Sequence, residues 1–143
     1  MFVAGTVLAA CSYELPGFLG RTGSGEATYQ VRGTPLPDPE PIALRAIRVE
    51  QALRGVILRA EGVAPTQGFH SAAFAAVGGG EPDEAGIMEF RLTAIPPAEA
   101  TVVGPERTRE LTAAFFLPES RTRNVRAFRV AGVREVRTLQ LPQ

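Results

Sequence analysis

The sequence predicts an all-β protein: an antiparallel sandwich of about seven strands after a flexible N-terminal segment. Three observations carry that expectation. From Ile42 onward, apolar residues recur with a period near two. The apolar runs are only five to ten residues long, and Gly or Pro falls between them. Strands with one buried face alternate apolar and polar side chains in this way, and small antiparallel architectures are built from them.

The elements follow in order. Residues 42–50 place Ile42, Leu44 and Ala46 on one parity and Ile47 and Val49 on the other. Gly55–Val63 holds Val56, Ile57 and Leu58 ahead of Gly62. Residues 69–77 form a third segment after a Pro-Thr-Gln-Gly turn. Gly78, Gly79 and Gly80 begin a loop that runs into Glu81, Pro82 and Asp83. Ile87–Ile95 sets Met88, Phe90 and Leu92 against Ile87, Glu89 and Arg91, and Pro96-Pro97 ends it. Residues 107–117 set Leu111, Ala113 and Phe115 against Thr112, Ala114 and Phe116. Residues 125–130 and 133–141 alternate as well, with Gly132 between them. Seven strands in about one hundred residues match an immunoglobulin-like sandwich in size. Residues 42–58 also admit an amphipathic helix, being rich in Ala, Leu, Arg and Glu. One helical turn is expected within 121–126, after Pro118.

Composition narrows the function classes. The chain has 143 residues, with fifteen basic and fifteen acidic side chains. That balance gives no general attraction to nucleic acid, which is therefore not expected as a partner. Every basic residue is Arg, as a GC-rich coding sequence would favour. The single Cys excludes an internal disulfide.

Residues 12–41 read as a tether. Gly17, Gly20, Gly23 and Gly25 accompany Ser and Thr, and Pro35, Pro37, Pro39 and Pro41 alternate with other residues. Such a stretch favours extended polyproline geometry and acts as a semi-rigid spacer. A short strand is expected inside it at residues 27–32.

The first eleven residues are uncharged and mostly apolar, and they end in Leu8-Ala9-Ala10-Cys11. The run is far shorter than the roughly 20 apolar residues a spanning helix needs. Leu8-Ala9-Ala10-Cys11 resembles the lipobox of bacterial lipoproteins. From Ile42 the chain is similar to small immunoglobulin-like lipoproteins of bacterial envelopes, in architecture alone. The lipobox resemblance implies a diacylglyceryl group on the Cys11 thiol and cleavage just before that residue. It divides the chain into a partial signal segment (1–10), a Gly/Pro-rich tether (11–41) and a β domain (42–143). Ser12 follows the cysteine. An Asp there tends to hold lipoproteins at the inner membrane, so the expected location is the outer membrane, facing the periplasm. A lipoprotein signal usually opens with Lys or Arg, so an in-frame start further upstream would complete the pattern.

Residues that could carry chemistry are few in this sequence. His70 is the only His, and one His without a second ligand builds no typical zinc site. Ser71 adjoins it, but neighbours on a strand point to opposite faces. Gly23-Ser24-Gly25 lacks the strand–helix context of a nucleophile elbow. The triple glycine lacks the Gly-Lys-Ser/Thr of a phosphate loop. Glu81, Asp83 and Glu84 read as a solvated loop tip rather than a calcium site. No metal, cofactor or catalytic residue is expected.

Two Arg-x-Arg pairs remain, Arg107/Arg109 and Arg121/Arg123. On a strand, i and i+2 share a face, so each pair would present two guanidinium groups to an anionic envelope component or a partner's carboxylates. Surface pairing with Glu106, Glu110 and Glu119 is the plainer expectation. The functional expectation is a non-enzymatic binding or structural module, lipid-anchored in the cell envelope, with an envelope protein or an anionic envelope component as its partner. The alternatives are a soluble β accessory domain without an anchor, and a hydrolase whose site is not recognisable in the sequence.

Overall fold

Alternation decides where each strand buries itself. The computed structural model describes residues 36–141. Its strands are β1 Glu40–Pro41, β2 Ala43–Ala52, β3 Gly55–Val63, β4 His70–Ala76, β5 Ile87–Ile95, β6 Glu110–Pro118, β7 Ala127–Ala131 and β8 Val136–Gln140. Short 3-10 turns lie at Gly78–Gly80 and Glu106–Thr108, and a single-turn helix, α1, at Glu119–Thr122. The all-β expectation holds; the helical turn comes directly after Pro118, at Glu119–Thr122, and overlaps the expected 121–126 only at Arg121 and Thr122. Glu40 and Pro41, assigned to the tether, form β1 and pair with Ala94 and Thr93.

Strand β3 alternates strictly: Val56, Leu58, Ala60 and Gly62 are buried, and the residues between them are partly exposed. Strand β5 does the same with Met88, Phe90, Leu92 and Ala94. A helix over residues 42–58 would have broken this pattern. Instead Leu53 and Arg54 turn the chain, and β2 pairs with β3 along its whole length, from Ala52↔Gly55 to Ala43↔Val63.

The strands form two sheets. In the smaller, β2, β3 and β6 pair antiparallel. In the larger, β5 is central. Phe90 pairs with both Ala76 of β4 and Val130 of β7, and Thr93 pairs with both Ala73 of β4 and Pro41 of β1. Strand β4 therefore occupies one edge of β5, while β7 and β1 follow each other along the other edge. Strand β8 extends the sheet beyond β7. Double flanking explains Thr93, which belongs to the outer parity of β5 yet is only 7% exposed.

One pairing departs from the antiparallel pattern: β5 and β7 run parallel. Parallel neighbours need a crossover. Here the crossover passes through β6 in the facing sheet and then through α1.

The sheets face each other across Leu58, Phe90, Leu92, Leu117, Phe128 and Val130. Phe90 sits at the centre of an aromatic cluster. Its ring lies edge-on to Phe74 and to Phe115, each at 5.8 Å, and 6.3 Å from Phe128. Gly62 marks the closest approach: a Cβ there would meet Leu92 Cδ2 at 2.7 Å and the Ala43 carbonyl oxygen at 2.8 Å. Edge strands β4 and β6 lie side by side where the two sheets meet.

Candidate functional site

The sequence points to two Arg-x-Arg pairs, Arg107/Arg109 and Arg121/Arg123. Neither pair lies on a strand. Arg107 is in the 3-10 turn, and Arg109 is the residue that ends it. Arg121 is in α1, and Arg123 caps its C-terminus. The shared-face argument for paired guanidinium groups therefore fails at both sites. Proline ahead of each pair (Pro105 and Pro118) opens a helical turn where a strand was assumed.

Each pair splits into one tied and one free residue. The Arg109 Nη1 donates to the Ala64 carbonyl oxygen at 2.5 Å. The Arg121 Nη2 donates to the Gly80 carbonyl oxygen at 2.6 Å, with Glu81 Oε1 at 3.5 Å. Arg107 and Arg123 are exposed and form no ion pair among the described residues. Glu106 and Glu110, expected to hold these arginines, both pair with Arg45 instead. Further pairs, Arg48–Glu61 and Arg59–Glu50, line the outer face of the smaller sheet. Exposed pairs of this kind contribute about 0–1 kcal/mol each.

His70 and Ser71 are brought together, against the expectation for strand neighbours. The register slips between His70 and Ala73, a bulge, and Ser71 adopts φ 52°. His70 Nδ1 and Ser71 Oγ are then 3.0 Å apart. Both residues are exposed, and no carboxylate is paired with His70 among the described residues. The contact is a local consequence of the bulge.

The acidic loop has a structural task. The Asp83 Oδ1 accepts the backbone N–H groups of Ala85 (2.9 Å) and Ile87 (2.8 Å), which fixes the turn that launches β5. Asp83→Ala is expected to cost about 1 kcal/mol in urea denaturation, since two donors lose a charged acceptor at a solvated site. No group of three or more His, Cys, Asp or Glu side chains is placed to hold a metal among the described residues.

The sequence did not reveal a groove of about 640 Å³ on the outer face of the larger sheet. Ala73 and Ala75 of β4 and Thr93 of β5 floor it; Pro39, Pro41 and Val77 border it. Arg91, directly across from Ala75, is the one ionisable side chain in the lining. The signal for it was the run Ala72-Ala73-Phe74-Ala75-Ala76. Alanine is a poor strand former, and small outward side chains leave a trough where larger ones would fill it.

A second pocket, of about 410 Å³, contains Arg109 and Arg134. Cys11, the Gly23-Ser24-Gly25 stretch and the expected strand at 27–32 lie outside the described residues. No helix among the described residues is long and apolar enough to cross a membrane. Comparison with family models, curated proteins and solved structures gives no match for this chain.

Proposed function

We propose that the chain is an envelope lipoprotein, anchored through Cys11, whose sandwich is a non-enzymatic binding module. The anchor rests on Leu8-Ala9-Ala10-Cys11 at the end of an apolar run. The binding role rests on the groove over Ala73, Ala75 and Thr93. An outward sheet face is ordinarily polar and filled. This one presents small apolar side chains bordered by two prolines, with one cation, Arg91, that has no ion-pair partner among the described residues. The occupant that fits is an extended segment of another envelope protein, carrying small apolar side chains and one carboxylate to meet Arg91.

A photo-crosslinking side chain in place of Val77, at the exposed rim, tests this in cells. A discrete adduct is expected from that position and none from Ala114, on the outer face of the other sheet. Ala75→Arg fills the trough and should abolish the adduct. Arg91→Glu should weaken it about threefold, the scale of an exposed ion pair. Equal adducts at Val77 and Ala114, or an adduct indifferent to Ala75→Arg, would contradict the binding role.

A further inference from the structure

The second pocket adjoins the groove at Pro41, which lines both. It forms where the start of β2, the end of β3 and the β7–β8 turn meet. Ala43, Val63, Pro65 and Val133 give it apolar walls. Arg109, Arg134 and Glu135 are its charged groups.

Arg109 is half-buried, and its charge is unbalanced. The Ala64 carbonyl takes one Nη1 proton. Its Nε is shielded from solvent and has no hydrogen-bond partner among the described residues. No carboxylate forms an ion pair with Arg109 or Arg134 among the described residues. Glu135 is close by but turned aside: its Oε2 accepts the Leu44 backbone N–H at 3.4 Å. Burying a cation without a counter-charge is costly, and an unsatisfied buried donor adds to the cost. An anion beside the guanidinium would balance its charge.

The lining narrows which anion. A guanidinium fork matches the two-oxygen edge of a carboxylate. The walls are apolar, so the rest of the ligand is apolar too. Arg109, Arg134 and Glu135 sum to one positive charge, which a single monoanion balances and a dianion overshoots. A volume of about 410 Å³ accepts a small organic molecule. We propose that this pocket binds a small monocarboxylate, with its charge at Arg109 and its apolar body between Val63 and Val133.

The test uses the full-length protein, labelled with 15N and titrated with hexanoate. The Arg109 side-chain Nε–H resonance is identified by its loss in Arg109→Lys. Hexanoate should shift that resonance and the Ala64 and Val133 amides along one saturating curve. Neither n-hexanol, which has the same tail and no charge, nor inorganic phosphate should reproduce it. Val133 is 58% exposed, so Val133→Asp leaves the core intact. It puts a second carboxylate at the rim and should weaken hexanoate binding about tenfold or more. An Arg109 resonance that hexanoate leaves unmoved would overturn the proposal. So would equal shifts with n-hexanol or phosphate, or unchanged hexanoate affinity in Val133→Asp.

Discussion

Replacing Phe90 by Ala is expected to lower the unfolding free energy by about 3–5 kcal/mol, the range for large-to-small changes at buried aromatic positions. The position is 1% exposed, and its ring touches Phe74, Phe115 and Phe128. Two of those contacts are edge-to-face, a geometry worth about 0.5–1.5 kcal/mol beyond area burial. Phe90 also joins layers, because Phe115 belongs to the facing sheet. Its removal opens a cavity between the sheets that neither backbone can close without breaking register. Phe116→Ala is the matched control. It lies one residue along β6 from Phe115, faces outward, and is 49% exposed. Its loss should cost under about 1 kcal/mol. Urea denaturation of both variants measures the contrast. Equal costs would show that the inward and outward faces of these strands are wrongly assigned.

That contrast also shows what was legible in the sequence. Parity was readable wherever a strand has one buried face. Met88, Phe90 and Leu92 announced the inward face of β5, and the structure buries all three. Topology was not readable, because alternation says which way a side chain points and nothing about which strand lies beside it. The parallel β5–β7 pair and the shared edge of β1 and β7 arise from where the β6 crossover returns. The Arg-x-Arg reading assumed strand geometry at residues that proline had already started into helical turns. The His70–Ser71 contact required a bulge, and nothing in His-Ser-Ala-Ala marks one. The groove was nearly invisible: its floor is defined by the absence of side-chain bulk at Ala73 and Ala75, and small residues carry a weak signal. The Arg109 pocket was half legible. The residue was a candidate for meeting an anion, but its burial and unpaired Nε depend on the Ala64 carbonyl, 45 residues away.

Cys11→Ala should release the protein from the membrane fraction. A diacylglyceryl group supplies two acyl chains, and each buried methylene contributes about 0.8 kcal/mol, so two chains hold firmly where one is marginal. Removing the thiol removes both chains, and the sandwich offers no spanning helix among the described residues in their place. The variant should fold normally, because every residue of the core cluster among the described residues is Ile42 or later. A Cys11→Ala protein that remains with the membrane would assign attachment to the protein surface.

Mass spectrometry of the mature N-terminal peptide measures the proposed lipid on Cys11 directly. The gene is expressed in a bacterial host with its natural upstream sequence. A peptide beginning at Cys11, with a mass increase matching a diacylglyceryl group and its palmitate label abolished by Cys11→Ala, is the predicted result. A peptide that continues through Leu8-Ala9-Ala10 into an unmodified Cys11 would contradict it.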